Sequence, residues 1–476
     1  MQRKILIKNG RVVNADISEI RDIIIVGEVI EKIGTNLSPD SDTEVIDATG
    51  KFVFPGGIDP HTHLEFEFMG GTSVDDFYSG TRAAVAGGTT TIIDFAIPKK
   101  GESLLDTYNS YKRKADEKVV CDYALHMGVT SWDETVKQCM QYLVEKCGIN
   151  SFKVFMAYKN MMMLDDADIY QAFLHCKKLG AVPMVHAENG HVIVENAKRL
   201  LANGVTGPEG HALSRPECVE AEATNRACMI AENVDSPLYV VHVMSDSAAQ
   251  MIGTRRKRDF CRIFGETLAA GLGTTAPETD DFRVQAAHVM SPPIRSDKTT
   301  PNTLMRHLAD DVLSTTGSDN CTFNIDQKSI GKNDFTKIPN GVNGVEDRLS
   351  VVWEMGVHSG LITPERFVEI TSTNSAKIFN IYPKKGCIRV GSDADVVIWD
   401  PNKVRTISAT THHHACDFNI FEGMVVHGVP DVVLVRGKVS FKDGTICTKK
   451  GWGKFVPTPP FPPLLYSHKR SNLTLV

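Results

Sequence analysis

From about residue 55 to 385 the chain alternates short apolar runs with longer stretches of helical spacing, and no other feature limits its possible folds so tightly. The apolar runs lie at 89–96, 122–129, 151–157, 182–187, 238–243, 260–265 and 312–316, and one more ends at Asp59. Two of the stretches between them carry helix-start chemistry. Residues 131–147 open with Ser131-Trp132-Asp133-Glu134, a capping-box pattern. Residues 363–380 are entered through Thr363-Pro364, a cap residue followed by a proline in the first turn. Strand–helix alternation of this kind predicts parallel βα units. About eight such units favour an α/β fold closed into a (β/α)8 barrel over an open sheet.

The two ends of the chain have a different texture. Ile5-Leu6-Ile7-Lys8-Asn9-Gly10-Arg11-Val12-Val13 places β-branched residues around Asn-Gly, which predicts a hairpin. Strand-like runs follow at 22–30 and return at 393–399 and 432–439, broken by Gly and Asp. Segments 1–54 and 385–450 could therefore pair into one small β-sandwich, leaving 55–384 as the barrel. Pro457, Pro459, Pro460, Pro462 and Pro463 crowd the tail, so 451–476 should be an extended arm or disordered.

The bulk properties exclude several classes of function. A net charge of −6 with scattered basic residues gives no nucleic-acid surface. The one basic cluster, Arg255-Arg256-Lys257-Arg258, reads as a solvated helix end. No apolar stretch approaches the ~18 residues of a membrane span. The 11 cysteines, odd in number and without close pairs, read as reduced thiols in a cytoplasmic protein, and no signal peptide is evident.

The candidate chemistry sits where the apolar runs end. In His61-Thr62-His63 two imidazoles on an extended backbone point the same way. Alone this is weak: with 16 histidines, roughly half a His-x-His arises by chance. A second example, His412 and His414, reads as part of a surface loop. Position separates the two, because His61 and His63 follow the run that ends at Asp59. The run 182–186 ends in His186, the run 238–242 ends in His242, and Thr315-Thr316-Gly317-Ser318 leads to Asp319. In α/β barrels chemistry sits at the C-terminal ends of the strands. Neutral imidazoles and a carboxylate are good zinc ligands. Lys153 lies inside an apolar strand, where a buried ammonium is costly. It either snorkels to a barrel rim or has been converted by CO2 into an anionic carbamate with one oxygen for each of two metals.

The ordered set His-x-His, strand lysine, His, His, Asp resembles the amidohydrolase superfamily, and within it the dihydropyrimidinase family, which includes bacterial hydantoinases. The resemblance covers nearly the whole chain apart from the last twenty or so residues. It rests on Pro55-Gly56-Gly57-Ile58-Asp59-Pro60-His61-Thr62-His63, Phe152-Lys153-Val154-Phe155-Met156-Ala157-Tyr158, His186-Ala187-Glu188-Asn189 and Met290-Ser291-Pro292-Pro293. Asn340-Gly341-Val342-Asn343-Gly344 and Gly391-Ser392-Asp393-Ala394-Asp395 extend it. It implies a catalytic barrel plus a β-sandwich from both chain ends, and two zinc ions bridged by carboxylated Lys153 and a hydroxide. His61, His63, Lys153 and Asp319 would hold the more buried zinc; Lys153, His186 and His242 would hold the other. Tyr158 would be the transition-state tyrosine, unless it is a wall residue with its hydroxyl in water. Ser291 and Asn340 would hold the amide edges of a small cyclic ureide. Asp319 would carry the proton from the hydroxide to the leaving ring nitrogen. Family members are usually homotetramers.

Two rival functions remain. Collapsin response mediator proteins share the fold but have lost metal ligands, whereas all six ligand positions are filled here. Dihydroorotase and allantoinase use a similar site with a dedicated polar residue for a charged or ureido substrate. Loops 64–68 and 160–164 look apolar, which favours uncharged dihydropyrimidines and 5-substituted hydantoins, although Met161, Met162 and Met163 could equally be ordinary packing.

Overall fold

The computed structural model describes residues 3–257 and 262–467. Eight parallel strands form the central sheet: β1 (Gly57–Thr62), β2 (Thr89–Ala96), β3 (Asp122–Gly128), β4 (Ser151–Phe155), β5 (Val182–His186), β6 (Leu238–Val240), β7 (Ile263–Leu268) and β8 (Thr315–Gly317). Their spatial order is their chain order, as successive right-handed βα units require. A parallel bridge between Thr62 and Asn320 brings the last strand back to the first. The His63 amide donates to the Asn320 carbonyl (2.9 Å) and the Asp319 amide to the His61 carbonyl (2.8 Å). The strands are buried on both faces, β2 and β3 along their entire length, which is why they read as continuous apolar runs rather than alternating ones.

A second, mostly antiparallel nine-stranded sheet is built from both chain ends. They meet where Val396–Trp399 pairs antiparallel with Phe52–Pro55, the strand that leads directly into β1. Ile5, Ile23, Ile25, Val396, Ile398, Val432 and Leu434 fill its own core. The fold is thus the expected barrel with a small β-sandwich made by the termini.

Several local expectations need correction. Asn9-Gly10 is not a hairpin turn. Lys4–Val13 is one strand with a bulge there, Asn9 taking a left-handed φ of 61° while its amide donates to Asp22 (2.9 Å). A Cβ on Gly10 would meet Val53 Cγ2 at 2.4 Å, so this bulge needs glycine for the close approach of the neighbouring strand. Ser131 is not a cap: the helix is Glu134–Cys147, and Asp133 accepts from the Val136 amide. Thr363 does cap its helix, but the run from Pro364 to Ile378 contains a π-helical stretch at Glu369–Thr373. Arg255 and Arg256 are not a free solvated end; they bond to Glu232 and Asn225, and to Ser314 and Asp311. Arg258 of that cluster lies outside the described residues.

The described part of the tail runs across the N-terminal end of the barrel, extended at first and closing in a short helical turn at Pro463–Tyr466. The Val456 amide donates to the Tyr123 carbonyl (2.7 Å), Phe461 to Gly180 (2.7 Å), and the Tyr466 hydroxyl to Ala181 (2.6 Å). Residues 468–476 lie outside the described residues.

Candidate metal centre and substrate pocket

The strand pleat aims the first two ligand candidates. His61 and His63 flank Thr62, whose hydroxyl turns the other way to Asp94 (2.6 Å), as period-two alternation requires. Lys153 is central in β4, His186 ends β5, and His242 and Asp319 each lie two residues beyond β6 and β8. All six are therefore gathered at the C-terminal end of the barrel, and all are buried. Tyr158, His242 and Asp319 hold left-handed φ values of 60°, 39° and 52°. Such strain in non-glycine residues is characteristic of sites where side-chain aim outranks backbone comfort.

The donor atoms converge. Nε2 of His61 and Nε2 of His63 each lie 3.2 Å from Asp319 Oδ1, and Lys153 Nζ lies 3.2 Å from the same His61 nitrogen. Ligands bound tetrahedrally at zinc distances stand about 3.3 Å apart, so the spacing fits one ion between them. His61 Nδ1 is 2.6 Å from Glu266 Oε1. That contact fixes the proton on Nδ1 and turns the Nε2 lone pair inward. His186 Nε2 is likewise held by Glu188 at 2.8 Å, leaving Nδ1 as its other ring nitrogen. The rings of His186 and His242 stand 4.5 Å apart, and His242 Nδ1 is buried without a hydrogen-bond partner. Ligand atoms of His61, His63 and Asp319 all within 4.8 Å of one another, beside a buried imidazole nitrogen that no hydrogen bond satisfies, fit a metal centre.

The electrostatics agree. Burial, then the Lys153 ammonium, presses the His61 pKa well below its ordinary value. Burial and His186 do the same to His242, while burial outweighs the help of Asp319 at His63 and of Glu188 at His186. The imidazoles are thus held neutral, the form that binds metal. Burial alone would raise Asp319, but His61, His63 and Lys153 hold its carboxyl down at about 2. Burial lowers the pKa of Lys153 against the pull of Asp319 and Glu266. Its Nζ sits 4.1 Å from the Phe95 ring centroid and 5.3 Å from that of Phe155.

Beside these groups lies a pocket whose apolar walls include Phe66, Phe68, Ile97 and Met162. Of the methionine run, Met162 lines the pocket, whereas Met161 is largely exposed. Tyr158 packs against Phe68 and His186. Burial raises its pKa, against the Arg215 guanidinium and the hydrogen bonds of Ser291 and Asn340. Asn340 Nδ2 donates to Ser291 Oγ at 3.0 Å. Tyr158, Ser291 and Asn340 therefore share one wall.

Four supporting residues escaped the sequence reading. Glu266 sits in β7, one residue past the apolar run 260–265. Glu188 was visible in the His186-Ala187-Glu188-Asn189 motif but had no role there. Arg215 pairs with it (2.6 Å) from a distant helix end, and no local pattern announces that. Lys328, fully buried, donates to the carbonyls of Val289 and Pro339, 3.1 Å each. These carbonyls belong to the two loops that carry Ser291 and Asn340.

The triplet 412–414 is a loop but not a surface one. His414 is buried, its Nδ1 2.9 Å from Asp75 Oδ2, and Asp75 also holds Asn320, the neighbour of Asp319.

Comparison with known proteins agrees with this geometry. The Amidohydrolase family profile matches residues 52–440. Dihydropyrimidinase of Rattus norvegicus is 57% identical over 99% of this chain and 92% of its own length. Dihydropyrimidinase-related protein 5 of Mus musculus is 47% identical over 97% of this chain and 82% of its own. Among solved structures, dihydropyrimidinase from Brevibacillus agri NCHU1002 superposes with a TM-score of 0.94 at 44% identity, covering 96% of this chain and 99% of that one.

Proposed function

Because the chain belongs to the amidohydrolase family, we propose that it hydrolyses the ring of 5,6-dihydropyrimidines, converting dihydrouracil to N-carbamoyl-β-alanine and acting on dihydrothymine likewise. The observation that carries this is the convergence of six intact ligand candidates on one pocket with Tyr158, Ser291 and Asn340 on its wall. It also sets aside the collapsin response mediator type of scaffold, which similarity alone does not do. The apolar rim of Phe66, Phe68 and Met162 favours an uncharged ring over the anionic or ureido substrates of dihydroorotase and allantoinase. It also suits the 5-substituents of hydantoins.

His61, His63, Lys153 and Asp319 would hold one zinc, and Lys153, His186 and His242 the second, with Lys153 carboxylated. The Lys153 ammonium would give up one proton, and the amine would then add to CO2 and release a second, so that a costly buried cation would be replaced by an anion able to help hold the metal. When bound, the ion pair supplies an acidified water as nucleophile and polarises the ring carbonyl. Asp319 takes the proton of that water and passes it to the leaving ring nitrogen. The Tyr158 hydroxyl, kept protonated by its environment, donates to the oxygen that gains charge. Ser291 and Asn340 fix the amide edges so that the carbonyl carbon faces the water.

The test is the loss of ultraviolet absorbance of dihydrouracil on ring opening, with and without chelator. Turnover that the chelator abolishes and zinc restores is expected; a zinc- and CO2-replete preparation with no turnover would return the scaffold alternative. A homotetramer and a cytoplasmic location complete the proposal. Light scattering on the purified protein and imaging of the tagged chain check them.

A further inference from the structure

A second group of ligand-type side chains lies outside the catalytic pocket. Glu354 and His358 stand one turn apart in the π-helical segment Trp353–His358, which follows the helix Arg348–Val352. His427 comes from the strand Val425–Val435 of the other sheet. The Glu354 carboxylate receives the His427 amide at 2.7 Å and lies 3.1–3.2 Å from His427 Nδ1. The two imidazoles are stacked, centroids 4.0 Å apart and planes 5° from parallel. His358 Nε2 is 3.9 Å from Glu354 Oε1. Both rings therefore turn a nitrogen toward one carboxylate, and one ligand atom from each residue lies within 4.8 Å of the other two.

We propose that Glu354, His358 and His427 form a further metal site, distinct from the binuclear centre, that takes a borderline divalent cation such as zinc. Two imidazole nitrogens and one carboxylate oxygen suit zinc, nickel or copper rather than calcium or magnesium, which prefer oxygen-only sets. The site is nearly preformed on one side: the main-chain bond from His427 fixes the Glu354 carboxylate against the strand. His358, about half exposed, has the freedom to swing its nitrogen the last ångström, from ligand spacings near 4 Å to the ~3.3 Å of a tetrahedral ion. Three protein ligands leave a fourth position to water, so the ion exchanges readily. The ligands come from a barrel-side helix and a strand of the terminal sheet, so an ion here cross-links the two parts. Its binding stabilises the fold in proportion to the logarithm of free zinc.

The experiment is calorimetric titration of the metal-replete enzyme with zinc, beside His358→Ala and His427→Ala. The wild type takes up one ion more than the catalytic complement, and its Tm rises with free zinc. Both variants lose that ion and the Tm response while keeping ring-opening activity and catalytic metal content. Wild-type protein that binds no further zinc, or a His358→Ala variant that binds it as well as wild type, overturns the site. Because the titration reads metal uptake and Tm rather than turnover, its outcome is separable from that of the catalytic assay.

Discussion

At the scale of single residues, the site is a contest between burial and charge. Lys153 has imidazole and aromatic faces against its ammonium, and burial outweighs the pull of the Asp319 and Glu266 carboxylates. Lys153→Ala is therefore expected to lose bound zinc and activity together, read by metal analysis and the dihydrouracil assay; wild-type turnover in that variant would falsify the carbamate. Tyr158→Phe removes one hydroxyl and no ligand. Metal content should hold while kcat falls roughly 10²–10³-fold, the usual cost of one oxyanion donor; an unchanged kcat removes Tyr158 from the chemistry. Five of the six ligand candidates were legible in the sequence because each ends or closely follows an apolar run, and Lys153 was legible as a charge in the middle of one. Glu266 and Arg215 were not, since their roles depend on partners 205 and 27 residues away.

At the scale of elements, two buried contacts position the pocket's edges. Lys328 ties the Val289 and Pro339 carbonyls together, and the Gly341 amide also donates to Val289 (2.9 Å). Lys328→Met should loosen the loops that carry Ser291 and Asn340. KM is expected to rise about tenfold, a loss of about 1.4 kcal/mol, with kcat and zinc content nearly kept, the pattern of lost uniform binding. An unchanged KM in a folded variant would show the clamp to be idle. The Asp75–His414 pair anchors the end of β8. Burial opposes both charges, yet Asp75 raises His414 to about 9, and His414 with its neighbours lowers Asp75 to about 2. Because folding raises the histidine's pKa, its contribution is full below about pH 6.5 and is lost as pH climbs through about 9. The Asp75 contribution is present above about pH 4 and is lost as pH falls through about 2. His414→Gln should lower Tm at pH 6 and close the gap to wild type by pH 10; a gap constant across that range would mean His414 serves by shape alone. The local surprises have separate causes. Asn9-Gly10 has hairpin chemistry but takes a bulge because the strand continues to pair with Ser18–Val26, so tertiary pairing overrode turn propensity. Asp133 outcompeted Ser131 as cap because it stands next to the first helical residue.

At the scale of the whole molecule, the question is what fastens the terminal sheet to the barrel. Lys385, buried, places its ammonium 2.5 Å from Asp122 at the start of β3, 2.5 Å from Asp395 and 3.0 Å from Asp393. Arg436 adds a second cation to Asp122 (2.9 Å), and the Lys454 amide of the C-terminal arm donates to the same carboxylate (2.9 Å). Barrel, sheet and arm thus meet at one ionic knot. Burial opposes the charges of Asp122 and Lys385, but Lys385 and Arg436 hold Asp122 below its ordinary value, and the three carboxylates raise Lys385. Asp395 stays high because burial and the Asp122 charge outweigh Lys385. Lys385→Met keeps the volume and deletes the balancing charge, leaving three crowded carboxylates with Arg436 alone. Removing one partner from a buried pair typically costs about 3–5 kcal/mol. Asp122, whose pKa folding depresses in the wild type, contributes stability above about pH 4; in the variant the crowded carboxylates become costly when charged and are relieved by protonation. The stability deficit of Lys385→Met should therefore be largest near pH 8 and shrink as pH falls toward 5. Denaturant titrations at both values measure it. A deficit that does not change with pH would mean the lysine holds the sheet to the barrel by packing its stem, and that the charge is incidental.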